Sequence, residues 1–135
     1  MRIDHIGYAV KDIEKAQKAM GVLGYEFEPV IRDEARNIFI SFGKMSGGGY
    51  KVELVAPISE KSPVDGYLQK IGAAPYHICY QSDDIEADIQ RLQKAKYRVS
   101  VPLTPAAAFG GKRVVFLYSL SAGLVELVEI TVLED

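Results

Sequence analysis

The hydrophobic positions of this chain change period several times, and each change marks an element. Residues 2–10 carry a mixed strand pattern that stops at Lys11-Asp12. Asp12 then suits a helix N-cap, because its carboxylate can accept from the free N–H groups of a first turn. Ile13, Ala16, Met20 and Leu23 follow at helical spacing, with Gly24 as the expected end. Tyr25–Ile31, Asn37–Phe42 and Tyr50–Val55 read as three strands, separated by the polar stretch 32–36 and the glycine-rich stretch 44–49. After a connector, Pro63 to Lys70 reads as a short helix with proline in its first turn.

Gly72-Ala73-Ala74-Pro75 breaks the chain, and the opening pattern returns. A strand is predicted over Tyr76–Gln81 and a helix capped by Asp83 or Asp84 that carries Ile85, Ile89 and Leu92. Further strands are predicted over 97–103, 112–118 and 123–131. The return is a repeat. An offset of 72 residues lays His77-Ile78 on His5-Ile6, Tyr80 on Tyr8 and Asp84-Ile85-Glu86 on Asp12-Ile13-Glu14. One more residue of drift lays Val125-Glu126-Leu127-Val128 on Val52-Glu53-Leu54-Val55. The chain therefore reads as one domain, 1–135, built from two strand-helix-strand-strand-strand modules. Module 1 spans about 1–57, a linker helix about 58–72, and module 2 about 73–135.

Composition narrows the function classes. A net charge of −2 without a basic stripe argues against nucleic acid as a partner. The single cysteine, Cys79, rules out an internal disulfide framework and fits a reducing compartment. The N-terminal residues lack the apolar core of a signal peptide, and no apolar run approaches the roughly 18 residues of a membrane span. A cytoplasmic protein without a membrane partner is expected.

The chemistry lies in the repeat. Glu53 and Glu126 each sit inside an apolar run, where a buried carboxylate costs several kcal/mol unless a cation or donors receive it. Each module adds one imidazole on its first strand, His5 or His77, and these are the only histidines. Taken singly, each histidine could be a packing residue, Glu126 could pair with an arginine, and Glu53 could lie at a solvated edge. The shared spacing favours the reading that all four hold one divalent ion. Two neutral imidazoles and two carboxylates balance its charge, and the N2O2 set suits Ni, Co, Mn, Fe or Zn. Gly7 and Cys79, two residues beyond the histidines, are small, as a crowded ligand shell prefers. Cys79 itself reads as a small buried hydrophobe before a ligand or nucleophile.

Two glycine-rich stretches remain. Ser46-Gly47-Gly48-Gly49 lacks the lysine-serine ending of a phosphate loop and reads as a hairpin. Gly110-Gly111-Lys112-Arg113 allows close backbone approach beside two cations. It is either a substrate-binding segment for a carboxylate or phosphate, or a plain turn with solvated charges.

In succession, several segments resemble the vicinal oxygen chelate superfamily, also called the glyoxalase and bleomycin-resistance family. They are Asp4-His5-Ile6-Gly7-Tyr8, Val52-Glu53-Leu54-Val55-Ala56-Pro57, the helix Ser62 to Lys70, His77-Ile78-Cys79, Gly110 to Val114 and Leu124 to Leu127. The likeness runs through nearly the whole chain and is strongest to the methylmalonyl-CoA epimerase branch. It implies an α+β fold in which two βαβββ modules form a curved eight-stranded mixed sheet around a divalent-metal site. His5, Glu53, His77 and Glu126 would be the ligands, and Glu126 the proton-transfer residue. The implied activity is epimerisation or isomerisation of an acyl-CoA thioester through a metal-stabilised enolate, in a chain that could form a homodimer. Two alternatives stay open: lactoylglutathione lyase (glyoxalase I), and a small-molecule binding or resistance protein that uses the fold as a cup. The third strand, Asn37-Ile38-Phe39-Ile40-Ser41, lacks the added acidic residue that epimerases can carry there. Glu53 is the remaining candidate for a second base. Ring-cleaving dioxygenase chemistry fits less well, since its iron site wants one carboxylate with two histidines.

Overall fold

The computed structural model describes residues 1–130, and among them the order β1-α1-β2-β3-β4-β5-α2-β6-α3-β7-β8-β9 realises the predicted α+β class. The chain divides into two compact units, His5–Tyr76 and Met1–Asp4 with His77–Asp135. The linker helix goes with the first module, and the first four residues go with the second, where Gln81 Nε2 donates to Asp4 Oδ1 at 3.0 Å.

In the unit His5–Tyr76, β1 (Arg2–Ala9) runs parallel to β5 (Lys51–Pro57), which pairs antiparallel with β4 (Ile38–Met45). Asp12 caps α1 (Ile13–Gly21) as predicted, accepting from Lys15 N at 3.1 Å. Ile13, Ala16 and Met20 lie against Val10, Leu54 and Ala56, so the even-numbered residues of β5 face the helix. Leu23 departs from expectation and is exposed. The helix stops at Gly21, and Val22 to Gly24 make a turn that ends on Gly24 at φ +111.

The predicted strand Tyr25–Ile31 is two strands, β2 (Tyr25–Phe27) and β3 (Ile31–Asp33), which raises the count of described strands from the expected eight to nine. Pro29 lies between them and has no N–H to give a ladder. Both pieces still pair antiparallel with β4, so the module keeps its order with one strand broken. Gly43 makes that pairing close. A Cβ there would lie 2.4 Å from the Phe27 ring. The stretch 46–49 is the hairpin turn between β4 and β5, with Gly48 and Gly49 at φ +96 and +97. Helix α2 (Asp65–Lys70) begins two residues later than Pro63, because the Asp65 carboxylate accepts from Ser62 N and closes a turn ahead of the helix.

In the other unit, β6 (Ala74–Ser82) runs parallel to β9 (Gly123–Glu129), followed antiparallel by β8 (Arg113–Ser119) and β7 (Arg98–Pro105). Asp84 caps α3 (Ile85–Lys94) through Ala87 N. Ile85, Ile89 and Leu92 cover Val115, Leu117 and Leu127. Cys79 packs with Ala106, Val114 and Val128 on the opposite face, as a small hydrophobe would. The predicted last strand ends at Glu129, and its expected final residue, Thr131, lies outside the described residues. No described helix is long and apolar enough to cross a membrane.

Candidate functional site

Each unit builds the same arrangement from three strands. In the first, Glu53 stands directly opposite Gly7 on the parallel partner β1 and opposite Phe42 on the antiparallel partner β4. His5 lies two residues before Gly7 on the same face, a diagonal neighbour of Glu53. His5 Nε2 lies 3.4 Å from Glu53 Oε1, and both residues are buried. The Phe42 ring meets His5 edge-on, with centroids 5.7 Å apart, and the Lys51 ammonium stands over the same ring, 5.1 Å from its centroid.

The second unit repeats this geometry. Glu126 is opposite Cys79 on β6 and opposite Phe116 on β8. His77 Nε2 stands 3.0 Å from Glu126 Oε1, and the Phe116 ring meets His77 edge-on at 5.1 Å. Leu124 takes the place that Lys51 holds in the first unit. The structure thus brings His5 to Glu53 and His77 to Glu126, each pair within its own unit.

The sequence pattern did not single out Phe42 and Phe116. Their signal was present, since the repeat with two residues of drift lays one on the other. An aromatic residue in a strand reads as core, which hid it. In the structure each closes one side of an imidazole and holds the ring across its carboxylate.

The pairs suit a divalent metal. Each residue offers one ligand atom, an imidazole nitrogen or a carboxylate oxygen. Two N/O donors sharing one ion at about 2.1 Å stand about 3.0 to 3.4 Å apart for octahedral to tetrahedral angles, which is the separation found in both pairs. An apolar strand face that buries a carboxylate also needs positive charge nearby. Cys79, the one cysteine of the chain, is buried, and its Sγ donates to Tyr80 O at 3.9 Å.

The segment Gly110 to Arg113 lies elsewhere in the second unit. Gly110 and Gly111 adopt φ +63 and +88 after a short 3-10 turn, a conformation that favours glycine. With Lys112 and Arg113 they line a cavity of about 510 Å³ at the start of α3. Asp83, Asp84, Glu86 and Glu129 line it too, so carboxylates outnumber cations. Arg113 is committed within the protein. Its Nε and Nη2 donate to Glu129 at 3.0 to 3.2 Å, its backbone N–H donates to the same carboxylate at 2.7 Å, and Nη2 also reaches Glu86 at 2.8 Å. These bonds hold the Glu129 carboxyl below its ordinary range and raise the Arg113 guanidinium.

Comparison with known proteins agrees with this architecture over nearly the full length. Residues 4–116 match the family model described as glyoxalase/bleomycin resistance protein/dioxygenase superfamily. The mitochondrial methylmalonyl-CoA epimerase of Mus musculus is 36% identical over 132 residues, covering 93% of this chain and 71% of that protein. The ethylmalonyl-CoA/methylmalonyl-CoA epimerase of Cereibacter sphaeroides is 33% identical, covering 96% of this chain and 98% of that protein. A solved Streptomyces coelicolor methylmalonyl-CoA epimerase, in complex with 2-nitronate-propionyl-CoA, superposes with a TM-score of 0.81 at 28% identity, covering 98% of this chain and 99% of that one.

Proposed function

Because the chain belongs to the glyoxalase/bleomycin resistance/dioxygenase superfamily, we propose that it is an epimerase of a 2-substituted malonyl-CoA thioester, and that its two His–Glu pairs serve one divalent metal. The observation that carries this reading is the duplicated pair itself. Two buried carboxylates, each held across an imidazole and an aromatic edge, supply the two proton-transfer groups that inversion at one carbon needs.

Bound by His5, Glu53, His77 and Glu126, a divalent cation would supply Lewis-acid stabilisation of the negative charge that develops on the thioester carbonyl oxygen. The chain's residues do the rest. Glu126 takes the proton from the carbon alpha to the thioester, and the electron pair of that C–H bond passes into the carbonyl. Glu53 is the group that delivers a proton to the other face of the same carbon, so that one C–H bond breaks, one forms and the proton count is unchanged over the turnover. The apolar strands around both glutamates exclude water, which slows loss of the proton to solvent.

Within this reading Gly110, Gly111 and Lys112 form a substrate-facing edge, and Arg113 braces that edge through Glu129 and Glu86. The acidic lining suits the neutral, hydrogen-bonding arm of a thioester better than its phosphates.

The direct test is solvent deuterium incorporation at the alpha carbon of methylmalonyl-CoA, run beside turnover of a glutathione hemithioacetal. Exchange with the first and none with the second is expected. Turnover of the hemithioacetal alone would replace this reading with that of a lactoylglutathione lyase.

A further inference from the structure

We propose that Gln17 and Ser41 are positioning residues that keep Phe42 against His5, and so hold the first His–Glu pair in shape. The kinetic part of the proposal rests on the epimerase reading, and the structural part does not.

The repeat exposes the two residues. The drift of two residues that lays Phe116 on Phe42 also lays Val115 on Ser41, and the offset of 72 lays Ile89 on Gln17. In the second unit Ile89 and Val115 belong to one apolar cluster beneath α3. In the first unit the same place is polar. Ser41 is fully buried, opposite Leu54 on the face that α1 covers. Gln17 Nε2 donates to Ser41 Oγ at 2.9 Å, and Ser41 Oγ donates to Glu28 O at 2.8 Å. Replacing both partners of such a pair by apolar groups is close to neutral in stability, and the second unit shows apolar groups fitting there. Stability alone does not account for the polar pair, so its purpose lies in what it holds.

It holds a break in the sheet. β2 ends at Phe27, opposite Gly43, and β3 begins at Ile31, opposite Ile40. Residues 28, 29 and 30 therefore face only residues 41 and 42, a bulge in which Pro29 offers no N–H. Phe42 has its edge-side neighbour inside that bulge. Its counterpart Phe116 pairs with Val101 inside β7, which runs unbroken through its own register shifts. In the first unit Glu28 is fastened to β4 at two points instead. Its N–H donates to Phe42 O at 2.8 Å, and its carbonyl accepts from the Ser41 hydroxyl. Gln17 sets the direction of that hydroxyl, because an oxygen that accepts from the amide keeps its own proton for Glu28.

Alternation carries the effect to the site. Ser41 points under α1, and Phe42, the next residue, points to the other face, opposite Glu53 and edge-on to His5. The pin thus fixes the backbone on which Phe42 stands, and a backbone that shifts there carries the ring off the imidazole.

Proton NMR reads the contact directly, because the chain has two histidines and each meets one phenylalanine edge-on. The full chain, without added metal and at fixed pH, should show nuclear Overhauser contacts from His5 to Phe42 and from His77 to Phe116. Ser41→Ala should lower the melting temperature, lose the first contact and keep the second. Gln17→Ile combined with Ser41→Val installs the pair of the second unit, so it should melt at the parent temperature or above and still lack the first contact. In turnover, both variants should exchange the alpha proton of methylmalonyl-CoA with kcat about tenfold below the parent value and KM unchanged, since orientation is lost and binding is not. A His5–Phe42 contact of parent strength in either variant overturns the inference. Equal loss of both contacts in Ser41→Ala overturns it too, as does a kcat that recovers with the melting temperature in the double variant. If the parent protein exchanges no thioester proton, the epimerase reading fails and the two contacts alone decide the role of the pin. If the parent exchanges it and the variants keep the first contact, the reading stands and the pin falls.

Discussion

A carboxylate inside an apolar strand is the residue-scale feature from which the rest follows, and its two copies are not equivalent. Glu126 stands closer to its imidazole than Glu53 does, 3.0 Å against 3.4 Å, and faces Cys79 where Glu53 faces a bare Gly7. Glu126→Gln keeps shape and burial but removes the base, so alpha-proton exchange should fall about a thousandfold with the fold intact by circular dichroism. Exchange at the parent rate would take the base role from Glu126. Glu129 makes a separate, pH-dependent prediction. Arg113 depresses its folded pKa from the ordinary 4.5, so its stabilising contribution is fully present above about that value and fades as pH falls through the lower folded value. Glu129→Gln should therefore lower the melting temperature at neutral pH, and the gap to the parent protein should close in stronger acid. A gap that persisted there would mean that lost packing, not lost charge, was responsible. Both glutamate pairs were legible in the sequence because histidine and glutamate recur at matched spacing, and a repeat carries information that one copy lacks. Phe42 and Phe116 were not, because an aromatic residue on a strand has the same signature in a core as beside an imidazole.

At the scale of elements, local chemistry that acts within a turn was readable, and pairing that acts across strands was less so. Asp12 and Asp84 announce α1 and α3, since an N-cap needs only the following three residues to show itself. The break at Pro29 does not show in the sequence because the apolar pattern continues through it, and the consequence of a missing N–H depends on what β4 offers opposite. The late start of α2 has the same origin: whether Asp65 caps the helix or joins it is decided by its bond to Ser62 N. The repeat also predicts matched energetics. Leu54 and Leu127 are one repeat apart, each follows its glutamate, each points into the helix-covered face, and each is essentially unexposed. Replacing either by alanine should cost about 3 kcal/mol in urea unfolding, by lost transfer energy plus the cavity left behind. A cost under about 1 kcal/mol at one site and not the other would show that the two faces are not packed alike.

At the scale of the whole molecule, the question is whether the two His–Glu pairs act as one centre, and stoichiometry answers it. A centre made of both pairs takes one divalent ion per chain. Separate pairs would take up to two ions, each with only two protein ligands and correspondingly weak. On the proposed reading, dialysis against Co(II) or Mn(II) followed by metal analysis should give one ion per chain. His5→Ala alone and His77→Ala alone should each lose nearly all of it, although these histidines lie 72 positions apart in the sequence. Linkage supplies a second readout that needs no turnover. An ion that binds only the folded chain, at a hundredfold excess over its Kd, adds about 2.7 kcal/mol of stability, so the parent protein should melt higher with metal and fall back with chelator. In either histidine variant that metal-dependent shift should vanish, whereas two independent sites would leave about half of the bound metal and a residual shift in each. Because neither measurement involves substrate, a result of two ions per chain would remove the shared centre while leaving the fold and the family membership untouched.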